Sequence, residues 1–213
     1  MQRGKVDDVE ILSKEPISNS MYIKPWRVNY IQAGKKKIWD YMINHDSVAI
    51  CIYNKSSQNF VMVKQFRPAV YMADVNRNEK NGVAEKVPFS SGITLELCAG
   101  IIDRDESPDK IAQSEVLEET GFKIDLENLE LICKFRTAVG TGGAIQWLYY
   151  TEVDDSMKVT EGGGSEFEGE LIDLHYLKLE DVDAFINDKD CAHITSGVMY
   201  ALSWFLRKKI DKK

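Results

Sequence analysis

Three glutamates near the middle of the chain have the spacing of a cation-binding cluster. On a helix that advances about 100° per residue, Glu115, Glu118 and Glu119 share one face. Carboxylates this close repel one another, and the side-chain oxygens they offer are ligands that Mg²⁺ takes together with water and substrate phosphates. Taken alone, the triplet is more typical of a solvated acidic helix face. The residues around it therefore decide between the two interpretations.

Those surrounding residues complete a longer pattern. The segment 100–122 resembles the signature box of the Nudix hydrolase family, G-x5-E-x7-R-E-U-x-E-E-x-G-U, in which U is apolar. It agrees at eight of the nine specified positions, which are Gly100, Glu106, Glu115, Val116, Glu118, Glu119, Gly121 and Phe122. The exception is Ser114, which stands in place of the box arginine. A serine supplies neither the charge nor the two-pronged contact that an arginine makes with a carboxylate.

The resemblance implies a role for each acidic residue of the box. Glu115 and Glu119 are expected to be the main metal ligands, and Glu118 is expected to be a third ligand or a general base. Glu106 is expected to support the cluster from outside, as are the two box glycines. The implied cofactor is Mg²⁺, with Mn²⁺ as a substitute.

Two segments outside the box resemble the ADP-ribose and nucleotide-sugar branch of the same family. In LELCAG, residues 95–100, the resemblance makes the backbone carbonyl of Ala99 a metal ligand and Glu96 a substrate contact. In KQFRPAVY, residues 64–71, it makes Arg67 the contact to the substrate diphosphate. Without the resemblance, Arg67 is an ordinary surface arginine after a strand.

A glycine-rich acidic stretch and an N-terminal tryptophan extend the candidate site. The stretch 160–170 resembles a mobile loop that carries a catalytic glutamate, for which Glu170 aligns best and Glu168 is the reserve. By composition alone it is a solvated acidic turn. Related hydrolases form two-fold dimers that bring a tryptophan to the partner's site, and Trp39 matches best as a ring that stacks on the base. The resemblance thus implies a homodimer, while Trp39 by itself also fits an ordinary interface or core residue.

The resemblance implies hydrolysis of the diphosphate bond in a nucleoside diphosphate sugar. The stretch 136–147 lacks the proline and the acid that ADP-ribose hydrolases of this branch often carry there, which favours UDP-glucose, giving UMP and glucose 1-phosphate. Hydrolysis of ADP-ribose to AMP and ribose 5-phosphate is the alternative. A non-catalytic sensor on the same fold is a rival that Ser114 favours and the three intact glutamates oppose.

The elements that must position these residues predict an α+β fold. The resemblance implies a Nudix-type α/β/α sandwich with a mixed sheet, and we also expect a small N-terminal antiparallel sheet. Residues 1–45 are expected to form a dimerising β appendage and residues 46–213 the hydrolase domain. A helix is expected from Pro108 to Thr120. Residues 72–91 are polar, charged and aperiodic, which predicts a surface loop inserted in that domain.

Composition narrows the classes of partner. The 213 residues carry 27 Lys and Arg against 34 Asp and Glu, a net charge of −7, which argues against sequence-independent binding of nucleic acid. No apolar run reaches the roughly 18–20 residues of a membrane helix, and the first residues have no signal-peptide core. The four cysteines are widely spaced, as in a protein of a reducing compartment. We therefore expect a cytoplasmic protein that binds neither membrane nor nucleic acid.

Overall fold

A mixed seven-stranded sheet forms the centre of the molecule. The computed structural model describes residues 4–20, 23–82, 86–165 and 169–210, with side chains described as far as Lys208. The sheet strands are β3 (Ser47–Asn54), β4 (Asn59–Phe66), β5 (Ile93–Glu96), β6 (Cys98–Ile101), β7 (Glu130–Arg136), β8 (Ile145–Val153) and β9 (Asp173–Lys178). The main path runs β5-β4-β3-β8-β7, with β6 paired to β3 and β9 paired to β4. Strands β3 and β8 pair in parallel, which makes the sheet mixed.

Each face of the sheet is covered by one long helix. Helix α2 (Pro108–Thr120) packs through Ile111, Ala112 and Val116 against one core cluster. Helix α4 (Ser196–Ile210) contributes Val198, Ala201, Leu202 and Phe205 to the other. Strand β3 is a continuous apolar run because alternate side chains enter opposite cores. The predicted α/β/α sandwich with a mixed sheet is confirmed.

A two-stranded antiparallel sheet forms separately, from β1 (Lys24–Gln32) and β2 (Lys35–Ile43). Its turn is Ala33-Gly34, and both residues have positive φ, 50° and 74°, as two-residue hairpins of this kind require. Apolar side chains remain exposed on this hairpin, among them Trp26, Val28, Ile31, Ile38 and Trp39. The predicted small antiparallel sheet is therefore present.

The prediction of a surface loop over residues 72–91 was wrong for its first half. Residues Pro68–Lys80 form helix α1, with the proline in the first turn. The helix is held by Tyr71, which is buried against the rings of Phe66 at 5.7 Å and Phe89 at 5.0 Å. Residues 72–91 show no apolar period because most of the helix is exposed. The apolar residues that hold the helix are Phe66 and Tyr71, before residue 72, and Phe89, near the end of the range. Residues 83–85 lie outside the described part of the chain.

A short helix α3 (Val182–Ile186) follows β9 and leads through a turn region to α4. Over the part of the chain that the structure describes, no helix combines the length and the apolar character needed to cross a bilayer.

Candidate active site

Helix α2 ends at a glycine that the local geometry requires. Gly121 adopts the left-handed conformation, with φ 76°, and its N–H donates to the carbonyl of Leu117 at 2.9 Å. A Cβ at this position would lie 2.0 Å from the carbonyl oxygen of Thr160. The box glycine therefore both stops the helix and admits the loop that follows β8.

That loop closes over the end of α2 through its own glycines. The N–H of Gly163 donates to the carbonyl of Glu119 at 2.7 Å, and the N–H of Gly164 donates to the carbonyl of Glu118 at 3.2 Å. These bonds satisfy carbonyls that would otherwise lack partners at a helix C-terminus. The glycine-rich stretch is consequently attached to the backbone of two glutamates of the predicted metal cluster.

Glu119 is the buried member of the glutamate cluster. The residue is only 2% exposed, and Oε2 of its carboxylate accepts a hydrogen bond from the N–H of Ala99 at 2.9 Å. Burial raises the pKa of Glu119 to about 8; hydrogen bonds from Cys98 and from the Ala99 N–H oppose that rise, and the negative charges of Glu115 and Glu170 add to it. Such a carboxylate becomes far easier to ionise when a cation lies beside it.

Glu115 lies directly against the backbone of β6. A Cβ at Gly100 would fall 2.1 Å from Oε1 of Glu115, so only glycine leaves room for this carboxylate. Glu118, in contrast, is exposed on the same helix. The structure thus gives the first box glycine a steric reason that the sequence pattern did not state.

Arg67 and Glu96, both predicted to contact substrate, form an ion pair with each other. Nε and Nη2 of Arg67 donate to Oε1 and Oε2 of Glu96, each at 2.7 Å. The hydroxyl of Thr94 also donates to Oε1 of Glu96, at 2.5 Å. Burial works to raise the pKa of Glu96, but the hydrogen bonds and charge of Arg67 outweigh it and hold that pKa below its ordinary value.

Arg67 keeps binding capacity beyond this pair. The two bonds use two of its five N–H donors, and its side chain remains 44% exposed. Its pKa is raised, first by the hydrogen bonds to Glu96 and further by the charges of Glu119 and Glu170. The guanidinium is half-exposed, oriented by Glu96 and under the influence of Glu119 and Glu170. It can therefore bind one side of an anion whose other side binds a metal ion.

Glu170 is the loop glutamate that the structure places at the cluster. Its Oε2 accepts a hydrogen bond from the N–H of Ser165 at 3.2 Å, and its own N–H donates to the carbonyl of Ser165 at 3.0 Å. Its charge acts on Arg67, Glu119 and Cys98. Glu168, the reserve candidate, lies outside the described residues.

Three other predicted residues are held by partners outside the glutamate cluster. Glu106 pairs with Arg104 at 2.9 Å on the approach to α2. The hydroxyl of Ser114 donates to the carbonyl of Lys110 at 3.1 Å, one turn back along its own helix. Trp39 is half-exposed on the hairpin, where its indole Nε1 donates to the carbonyl of Gly140 at 2.9 Å.

Sequence reasoning missed two supporting donors, the thiol of Cys98 and the hydroxyl of Thr94. Thr94 stands two positions before Glu96 on one strand, which puts both side chains on the same face of the sheet, so strand periodicity was an available signal. Cys98 carried no such signal. Its thiol is buried in the core and is also turned toward Glu119.

The donor set suits a hard divalent cation. Every candidate ligand (the carboxylates of Glu115, Glu118 and Glu119 and the carbonyl of Ala99) is an oxygen, as Mg²⁺ prefers. Within the described ranges, no three acidic, imidazole or thiol groups already converge into a complete metal site. The individual metal ligands therefore remain a prediction.

Comparison with known proteins defines the class to which this fold and site belong. The model of the NUDIX domain matches residues 43–195. The chain therefore belongs to the Nudix family of hydrolases, whose members generally use a divalent metal.

Particular relatives are similar over most of their length. A mouse (Mus musculus) protein named uridine diphosphate glucose pyrophosphatase NUDT14 is 37% identical over 205 residues, covering 91% of this chain and 92% of that protein. Its bovine (Bos taurus) counterpart is 37% identical, covering 87% and 89%. A GDP-mannose pyrophosphatase from Pectobacterium atrosepticum is 32% identical over 67% of this chain and 64% of its own. The crystal structure of an ADP compounds hydrolase superposes with a TM-score of 0.62 at 15% identity, covering 94% of this chain and 95% of that one, which establishes a shared fold.

Proposed function

We propose that this protein hydrolyses the diphosphate bond of nucleoside diphosphate sugars, with UDP-glucose as the preferred substrate and UMP and glucose 1-phosphate as products. The observation that carries the proposal is the placement of Arg67. Its guanidinium is oriented by Glu96 and acts electrostatically on Glu119 and Glu170. A cation beside a group of carboxylates is the arrangement that binds a metal-associated diphosphate.

The residues divide the work by charge and position. Glu115, Glu119, Glu118 and the Ala99 carbonyl would hold Mg²⁺, with Mn²⁺ as a substitute. When bound, the cation neutralises diphosphate oxygens and lowers the pKa of water. Arg67 binds and orients the diphosphate, and Glu96 keeps the guanidinium in that orientation.

Glu170 is the best-supported general base of the three candidates. It accepts the proton of the attacking water as one P–O bond of the diphosphate breaks and another forms. The loop bonds to the Glu118 and Glu119 carbonyls support this role, because they attach the segment that carries Glu170 to the end of α2. Glu118 is the second candidate, and its position on the exposed side of the helix also fits a metal ligand.

Relatives favour a nucleotide sugar over ADP-ribose. Two relatives with 37% identity are named for UDP-glucose and a third for GDP-mannose, whereas the ADP compounds hydrolase is similar in fold alone. The stretch 136–147 also lacks the proline and acid noted above. ADP-ribose pyrophosphatase activity is the second candidate function.

The exposed hairpin supports a homodimer. Strands β1 and β2 bury little of their apolar surface within one chain, and a two-stranded sheet is marginal by itself. A second copy is the partner we propose, with Trp39 as the ring that stacks on the base. Analytical ultracentrifugation tests the dimer. A monomer at micromolar protein concentration would exclude it.

The four cysteines are free, which supports the cytoplasm as the compartment.

A substrate panel tests the activity. UDP-glucose, GDP-mannose and ADP-ribose are incubated with Mg²⁺, and the products are identified by mass. We expect the highest kcat/KM for UDP-glucose, with UMP and glucose 1-phosphate as the only products. Faster turnover of ADP-ribose would move the assignment to the second candidate, and binding without any product would identify a sensor.

Two variants link this activity to the site. Replacement of Glu118 by Gln should lower kcat by orders of magnitude at unchanged stability, because a carboxylate is lost from an exposed position on the cluster helix. The matched control is Glu127→Gln, an exposed glutamate in the segment after that helix. Near-normal hydrolysis by the Glu118 variant would contradict the proposed role.

A further inference from the structure

A small cleft lies beside the proposed diphosphate site and has so far been given no function. It has a volume of about 190 Å³ and lies where β3, β6 and β8 meet the first turn of α4. Whole-ligand pockets span about 300–1,000 Å³, so this cleft fits one part of a substrate. At a share of about 30 Å³ per water molecule, it holds the equivalent of about six waters, which suits a single sugar ring.

The cleft adjoins the chemistry through two residues that it shares with the candidate site. Glu96, which orients Arg67, and Ala99, whose N–H binds Glu119, both line it. A substrate with its diphosphate between Arg67 and Glu119 must extend one flanking group to each side. Because Glu96 and Ala99 line the cleft, it is adjacent to one of these two sides.

The chemistry of the lining selects which group that is. Thr137, Gln146, Thr195 and Ser196 contribute an amide and three hydroxyls. Within the described part of the chain, neither Lys nor Arg lines the cleft, so it does not suit a phosphate. Neutral donors and acceptors match the hydroxyl groups of a sugar.

A different surface suits the base. A groove beneath the hairpin is lined by Tyr30, Trp39 and Tyr41 together with residues 139–142, and its rings offer stacking. In the proposed dimer, Trp39 of this groove serves the site of the second copy, and each polar cleft serves the site of its own chain. The aromatic groove therefore takes the base, and the polar cleft is left for the sugar.

Gln146 is a neutral polar group of the cleft that the fold holds in place. It lies near the start of β8, paired with Ser47 on one side and Phe135 on the other. Its Nε2 donates to the hydroxyl of Ser47 at 3.2 Å. Its Oε1 faces Gly197 on the cleft wall, where a Cβ added to that glycine would lie 3.4 Å away. A rigid strand and a fixed amide present Oε1 as a hydrogen-bond acceptor.

On the basis of the nucleotide-sugar activity advanced above, the geometry points to this cleft as the hexose subsite, with Gln146 as a specificity-determining residue that accepts a hydrogen bond from one sugar hydroxyl. Thr195 is the second contact, at the rim formed by the start of α4. Both residues act on the sugar and neither takes part in bond cleavage.

The test compares Gln146→Leu with wild type on UDP-glucose and on UDP-sugars that each lack one hydroxyl, at C2, C3, C4 or C6. We expect the variant to lose about 10- to 100-fold in kcat/KM on UDP-glucose, because a hydroxyl is left without its partner. On one deoxy substrate, variant and wild type should be equal. The control Glu152→Gln, at the other end of β8, should match wild type on every substrate.

Equal losses on all five substrates, or no loss on UDP-glucose, would overturn the subsite. If Gln146→Leu does not fold, as judged by thermal unfolding, Thr195→Val is measured on the same panel and decides by the same criterion. Wild-type turnover of UDP-glucose reports separately on the proposed function. Normal turnover with indiscriminate variant losses would refute only the subsite, whereas a wild type inactive on all nucleotide sugars would overturn both.

Discussion

Glu119 should make the stability of the metal-free protein fall as pH rises. Burial raises the pKa of this carboxyl from its ordinary value of 4.5 to about 8 in the folded state. Between these two values the folded chain binds a proton at Glu119 that the unfolded chain has released. Because the folded state then binds more protons than the unfolded state, the free energy of unfolding decreases with increasing pH across that window.

The expected size follows from the width of the window. Each pH unit removes about 1.4 kcal/mol of the free energy of unfolding, or roughly 5 kcal/mol from pH 4.5 to 8. For a chain of this size, the corresponding fall in Tm is about 3–6 °C per pH unit. Thermal unfolding in EDTA at pH 5, 6, 7 and 8 measures it, with Glu119→Gln as the variant that lacks the titrating group.

The comparison between wild type and variant isolates this residue from all other titrating groups. Wild type should lose stability relative to Glu119→Gln from pH 5 to 8 in EDTA. Saturating Mg²⁺ should remove that relative loss, because the cation favours the ionised carboxylate. A control, Glu106→Gln, should follow wild type. Parallel curves for wild type and Glu119→Gln in EDTA would refute the reasoning.

Further variants test the remaining contacts. Arg67→Ala should lower kcat/KM by about 100-fold, and Arg67→Lys should recover only part of it because a lysine lacks the two-pronged contact; full recovery would count against an orienting role. Gly100→Ala should lower kcat by about 100-fold by displacing the Glu115 carboxylate, whereas Gly4→Ala, whose added Cβ meets only a side-chain atom of Leu171 at 3.8 Å, should be neutral. Glu170→Gln should lower kcat by about 10²- to 10⁴-fold with Tm unchanged, and a steady kcat would assign the base elsewhere.

Local rules in the sequence predicted the helix that carries the glutamates. Pro108 suits the first turn of a helix and Gly121 suits its end, and the structure confirms both bounds. The family and the sandwich fold are also confirmed. Both could be predicted because the box segment and the apolar strands each carry strong local patterns.

Contacts between distant segments could not be predicted in the same way. The ion pair between Arg67 and Glu96 depends on the antiparallel pairing of β4 with β5, which no local pattern specifies. Helix α1 was missed because its apolar anchor, Tyr71, finds its partners in Phe66, before residues 72–91, and in Phe89, near the end of that range. Tertiary packing outweighed the local composition in both cases.

We propose that α2 holds a divalent cation against the substrate diphosphate. The most direct test of this arrangement is a crystal structure with Mn²⁺ and a UDP-glucose analogue in which a methylene group replaces the bridging diphosphate oxygen. The anomalous signal should place Mn²⁺ within about 2.3 Å of carboxylate oxygens of Glu115 and Glu119 and of a phosphonate oxygen, with Arg67 on the same group. A Mn²⁺ signal away from these glutamates, or a diphosphonate bound elsewhere, would contradict it.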